Sequence, residues 1–169
     1  AASDVYKRQL VILVGFSAFF SASETAFSSL NQIRLKSRAE DGDSSAARVL
    51  AMAEQYDKLL STILIGNNIV NIAAASIGTI LFTQMLGQER GATVSTMVLT
   101  IVVLIFGEVT PKSLAKEMPE TVATAVSPML NLLMVLFTPL TWLFSQWKRL
   151  LGHFVHSTEE DTITAVSYT

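Results

Sequence analysis

The sequence predicts an all-α membrane protein, and three features of it carry that prediction. Half of the 169 residues are hydrophobic and only 15% are charged, with a positive mean hydropathy. The apolar residues gather into four long blocks, where a soluble domain would carry more charge and break its apolar runs more often. The long polar interval between the first two blocks is rich in basic residues, as in a loop held at the cytosolic face of a bilayer. A net charge of −2 offers nucleic acid no basic surface. With no cysteine, disulfides, thiolate zinc sites and cysteine nucleophiles are excluded.

The first block covers about residues 5–30. Lys7 and Arg8 precede it as in a signal peptide, but Ser21, Ser23 and Glu24 follow, the helical pattern continues to Leu30, and no clean cleavage site appears. It therefore reads as a spanning helix. In residues 31–58, Arg34, Lys36, Arg38, Arg48 and Lys58 are balanced by Glu40, Asp41, Asp43, Glu54 and Asp57, and the stretch is broken at Gly42, which predicts two short amphipathic helices at the membrane surface. The second and third blocks, about 59–86 and 92–116, each exceed the ~20 residues a spanning helix needs. The link between them carries Arg90 as its single basic residue. The charge asymmetry places the first loop in the cytosol, the second loop outside and the N-terminus outside. Lys112 and Lys116 agree with this orientation, whereas Lys7 and Arg8 run against it.

The fourth block, about 121–151, holds Pro128 and Pro139, each expected to break or kink a helix. The roughly ten residues between them are too few to cross a ~30 Å core. Lys148 and Arg149 then call for a cytosolic end. The expected architecture is three transmembrane helices, cytosolic-side juxtamembrane helices, and a helix–turn–helix belt folded back along the inner face. A kinked fourth span is the alternative. Residues 1–151 form the membrane domain, and 152–169, with Glu159, Glu160 and Asp161, read as a polar tail leading to a further region.

Polar groups inside a bilayer are costly and usually functional. In the first block Ser17, Ser21, Glu24 and Ser28 fall on one helical stripe, with Ser23 turned away. The second block carries Gly66, Asn67, Asn68 and Asn71, and the third Gly107, Glu108, Thr110, Pro111 and Lys112. Ser21 precedes the polar loop by about ten residues and Asn68 follows it by about as many, which places both roughly 15 Å above the inner surface. Glu108 sits one or two turns before the basic end of its span. Pro111 has no N–H for the carbonyl four residues back, that of Gly107, and a freed carbonyl at membrane depth is tolerated where it lines a cavity. Hydroxyl, amide, carboxylate and carbonyl oxygens together suit a hard divalent cation, Mg²⁺ or Ca²⁺. Glu24 reads either as a further ligand or as an ion-pair partner of Lys112. Ser17, Ser28 and Asn67 read as helix–helix hydrogen-bonding groups, and Ala73–Ser76 with Gly78 as a small-residue packing face.

Three segments resemble the signatures of the CNNM/CorC membrane domain: Ser21-Ala22-Ser23-Glu24-Thr25-Ala26, Ile65-Gly66-Asn67-Asn68-Ile69-Val70-Asn71, and Gly107-Glu108-Val109-Thr110-Pro111-Lys112. The resemblance extends from about Leu10 to about Leu151. It implies a homodimeric Mg²⁺ transporter of the cell membrane, with export by alternating access coupled to Na⁺ entry. It also implies a dehydrated Mg²⁺ held by Ser21, Asn68, Glu108 and the Gly107 carbonyl. Ser17, Glu24, Asn67, Asn71, Thr110 and Lys112 are then supporting or Na⁺-coupling candidates, with Gly66 and Pro111 shaping the helices. Cytosolic CBS-type regulatory modules normally follow such a domain. The competing reading is a membrane anchor that senses a cation without moving it. An intramembrane hydrolase is not expected, because no histidine lies inside a span and no second carboxylate clearly faces Glu108.

Overall fold

The computed structural model describes residues 2–167, with side chains through residue 156, and all of its regular structure is helical among the described residues. In order, the elements are α1 (Ala2–Ser28), α2 (Gln32–Glu40), α3 (Ser44–Glu54), α4 (Tyr56–Leu86), α5 (Gln88–Val102), a π-helical segment (Val103–Val109), α6 (Thr110–Glu117), α7 (Pro119–Leu136) and α8 (Thr138–Ser167). Four runs are long and apolar enough to cross a membrane: α1, α4, the continuous Gln88–Glu117 run and the 18-residue α7. The three expected spans begin and end within a few residues of the first three.

Local chemistry sets the breaks. The Asn31 side chain accepts from the Arg34 N–H at 3.1 Å and starts α2. Asp43 starts α3 by accepting from the Ser45 and Ala46 N–H groups at 3.0 and 3.2 Å, as an N-cap does. Between them Gly42 takes φ 98°, a left-handed conformation open to glycine. The two amphipathic helices expected in the polar interval are therefore present. Gly91 allows the α4–α5 hairpin to close, since a Cβ there would lie 2.5 Å from the Thr83 Cα.

The expectation for the fourth block needs correcting at Pro128. That proline lies inside α7, and the helix continues through it to Leu136. It removes the donor to the Thr124 carbonyl, but the Ser127 hydroxyl donates to that carbonyl at 2.9 Å, so nothing is left orphaned. The break falls instead at Phe137, immediately before Thr138 and Pro139. Both ends of α7 meet the same end of the bundle. Glu120 at its start pairs with Arg38 and Arg34 of α2, at 3.0 and 3.7 Å. Near its other end Asn131 and Met134 line a small cleft with Arg48 and Gln55, next to the start of α4. Helix α8 then runs through Gly152 to Ser167; the side chains of the expected tail beyond residue 156 lie outside the described residues.

The main core joins α1, α2, α3, α4 and α7 near the polar loop through Phe20, Phe27, Leu35, Val49, Ile63 and Leu130. A smaller cluster of Leu10, Ala74 and Leu81 ties α1 to α4 toward the opposite end. Two glycines bring helices into contact. Gly66 lies against the Phe20 ring, and Gly78 against Leu99 and Ser95 of α5. Gly78 and the buried Ala74 thus serve packing within the chain, while Ala75 and Ser76 remain exposed.

Candidate functional site

The polar residues of α1, α4 and the π segment converge where α1 passes Gly107. A Cβ on Gly107 would lie 2.9 Å from the Ser17 Oγ, so glycine is what lets these backbones approach. Ser17 is buried, and its hydroxyl reaches the Asn67 Oδ1 at 3.4 Å, the long limit of a hydrogen bond. This level is one turn farther from the polar loop than the depth argument placed it. By helical rise, Ser21 lies one turn, about 5 Å, toward the polar loop, and Asn71 one turn the other way.

Two oxygens in this track have no partner among the described residues. The Ser21 Oγ and the Asn71 Oδ1 are buried without any hydrogen bond. Such groups are rare because an unsatisfied buried polar atom costs on the order of 1–3 kcal/mol. In lipid-embedded structure they point to a cavity, a ligand or an ion. Ser23, by contrast, donates to the Phe19 carbonyl at 2.6 Å on the core side of α1, away from the site.

The backbone of the third run departs from α-geometry at this point. Val103–Val109 is π-helical, and the Thr110 N–H bonds to the Ile105 carbonyl, five residues back. The next donor would come from residue 111, which is proline. In the π register that donor would serve Phe106, and in the α register Gly107. Pro111 can serve neither, and among the described residues no side chain donates to either carbonyl. Sequence reading found the proline but not the π segment. Isolated π turns inside helices mark functional sites often enough to be informative.

Glu108 carries the charge of this region. Its Oε2 lies 3.1 Å from the Lys112 Nζ, one turn later on the same run, and both side chains are partly exposed. The alternative that paired Lys112 with Glu24 is therefore not the arrangement found. Glu24 is half-buried and has no ion pair among the described residues. Asn68 and Thr110 are exposed in the single chain, while Asn67 and Asn71 are partly buried. Gly66 contributes through its contact with Phe20, not through a ligand. No group of three or more His, Cys, Asp or Glu side chains is placed to hold a metal among the described residues. Any cation bound here would rest on neutral oxygens supplemented by Glu108, a donor set that fits a hard ion and not a soft one.

Comparison with known proteins agrees with the sequence motifs. The model of the "Cyclin M transmembrane N-terminal domain" (CNNM) matches residues 9–167. The Escherichia coli inner membrane protein YfjD is 45% identical over 135 residues, 80% of this chain and 31% of that protein. A related Haemophilus influenzae protein is 39% identical over 146 residues, 86% of this chain and 34% of that protein. A Salmonella typhimurium protein named "Polyamine export protein" is 30% identical over 145 residues, 79% of this chain and 32% of that protein. The chain thus spans about a third of the length of each of these relatives.

Proposed function

The chain belongs to the CNNM transmembrane-domain family, and on that footing we propose that it is the cation-translocating part of a multi-pass Mg²⁺ transporter. The observation that carries this reading is the buried, unpartnered Ser21 Oγ, close to the segment where Pro111 withholds a backbone donor. In the proposed site the Mg²⁺ is taken by the Ser21 hydroxyl, the Gly107 carbonyl and the Glu108 carboxylate. The Asn67 amide joins them by releasing its long contact with Ser17. Asn71 is the next polar step toward the α4–α5 hairpin. Asn68, named with the ligands by family resemblance, is exposed in the single chain. In a homodimer it could instead meet the partner.

In this reading α1, α4 and the Gln88–Glu117 run cross the bilayer. Helices α7 and α8 form a belt on the cytosolic side, supported by the two ends of α7 meeting the same end of the bundle. Basic residues concentrate at that end, and by the positive-inside rule this reading takes it as cytosolic and the N-terminus as outside. Export coupled to Na⁺ entry, and control by cytosolic modules, follow from the family resemblance.

A second reading, export of a polyamine, draws on the name of the Salmonella relative and on Glu24. A half-buried carboxylate without an ion pair would suit a second ammonium group. A cation sensor that moves nothing is the third. Proteoliposomes loaded with an Mg²⁺ dye or with labelled spermidine separate the three: Mg²⁺ flux supports the proposal, spermidine flux alone supports the second, and binding without flux the third.

A further inference from the structure

Between the start of α4 and the first half of α8 lies a cleft of about 330 Å³ that the cation site does not use. Its walls include Asp57, Lys58 and Ser61 from α4 and Thr141, Trp142 and Lys148 from α8. These walls combine unpaired donors with hydroxyls whose protons are already used. The Thr141 hydroxyl has already given its proton to the Thr138 carbonyl, at 3.0 Å, and the adjacent Ser145 hydroxyl has given its own to the Thr141 carbonyl, at 2.9 Å. The Ser61 hydroxyl and the Trp142 indole N–H have no partner among the described residues. Lys58 and Lys148 likewise form no ion pair there, even with Asp57 so near. Asp57 lies in the first turn of α4, where the helix dipole already favours a negative charge. The cleft therefore presents two ammonium groups, a hydroxyl and an indole donor, against the neutral hydroxyl oxygens of Thr138, Thr141 and Ser145 and one carboxylate whose charge is partly answered elsewhere. That donor set fits a phosphate.

The surroundings say which phosphate. Trp142, Leu143, Trp147 and Leu150 of α8 are all exposed. Phe144 lines both this cleft and a neighbouring apolar hollow shared with Leu143, Trp147 and Leu150. A polar cleft with basic walls, flanked by tryptophans and opening onto an apolar hollow, has the layout of a lipid: headgroup first, acyl chain beside it. Basic pockets at the cytosolic ends of spanning helices are where anionic headgroups bind, and tryptophan favours the headgroup level.

We propose that this cleft binds the headgroup of an anionic phospholipid, with Lys58 and Lys148 on the phosphate, Ser61 and Trp142 donating to it, and an acyl chain along the apolar side of α8. A lipid seated there bridges α4 and α8, which otherwise touch little, and so ties the belt to the span that carries the amide motif.

The test uses the full chain purified in detergent, with native mass spectrometry counting retained phosphatidylglycerol and phosphatidylcholine. Wild type should keep phosphatidylglycerol through delipidation and take it back from vesicles in preference to phosphatidylcholine. Lys148→Gln should weaken that retention about five-fold, the usual effect of one lysine at an anionic surface. Lys58→Gln with Lys148→Gln should abolish the preference. Lys116→Gln, an equal charge change at the same end of the bundle, should leave it intact. Lys148 is exposed, so its single variant reports even if the double variant folds poorly. Equal loss in Lys116→Gln, unchanged retention in Lys148→Gln, or displacement of the bound species by millimolar inorganic phosphate would each overturn the proposal, the last by showing a free-anion site.

Discussion

The Lys112 ammonium sits 3.1 Å from the Glu108 carboxylate, four residues along the same helical run, so the charge of the candidate site is answered from within when no cation is bound. The order, acid before base at this spacing, is the favourable one. A cation that takes the Oε2 oxygen displaces that ammonium. Lys112→Met should therefore tighten Mg²⁺ binding. Partly exposed pairs of this kind contribute about 0.3–0.5 kcal/mol, or roughly two-fold in Kd. Calorimetric titration of wild type and variant measures the change, and weaker binding in the variant would show that Lys112 supports the ion instead of competing with it.

Pro111 withholds a backbone donor where the π segment returns to α-helix. Pro111→Ala supplies an N–H that can bond Phe106 or Gly107 and removes the need for an external partner. Mg²⁺ demands near-octahedral geometry at short distances, whereas Ca²⁺ tolerates irregular shells. The variant should lose Mg²⁺ affinity more than Ca²⁺ affinity while its thermal stability holds or rises. If both ions change equally, the carbonyl is not a ligand.

Gly66 admits the Phe20 ring. A Cβ at 66 would overlap that ring, so Gly66→Ala should destabilise the α1–α4 contact by about 1–3 kcal/mol, as overpacking does. Phe20→Leu in the same chain should recover part of the loss. Thermal unfolding of the four-member cycle measures the coupling; additive effects would mean that the glycine matters for another reason.

Asp43 gives the juxtamembrane helices a pH dependence. Hydrogen bonds from the Ala46 backbone N–H, followed by the Arg38 guanidinium at 2.6 Å, hold its carboxyl below the usual carboxylate range. A depressed folded-state pKa stabilises the fold above the unfolded value, and that stabilisation is lost as pH falls through the folded value. The contribution should be whole at neutral pH, begin to fall near the unfolded value of roughly pH 4 and be gone below the folded value. Limited proteolysis across residues 31–58 should accelerate on acidification in wild type and show a smaller acid response in Asp43→Asn.

Apolar block length, charge asymmetry and Gly42 were enough to read the three long helical runs, the surface helices and the segments that meet at the site. Three features were not legible in the same way. Pro128 reads as a helix breaker, and only the Ser127 hydroxyl on the Thr124 carbonyl shows why it is not. A serine directly before an intrahelical proline is the signal that was there to be used. The π segment at Val103–Val109 depends on a one-residue shift of register that composition does not encode. Choosing among Asn67, Asn68 and Asn71 requires the rotation of α4 about its axis. The contact of Gly66 with Phe20 helps set that rotation, and depth along the helix says nothing about it.

The most direct test is the initial rate of Mg²⁺ flux in proteoliposomes containing wild type or Glu108→Gln, at matched protein incorporation and with an imposed Na⁺ gradient. Loss of the site's carboxylate leaves only neutral oxygens for a divalent ion, and the rate should fall roughly ten-fold or more. A Glu108→Gln protein that is fully folded and carries Mg²⁺ at the wild-type rate would contradict the account.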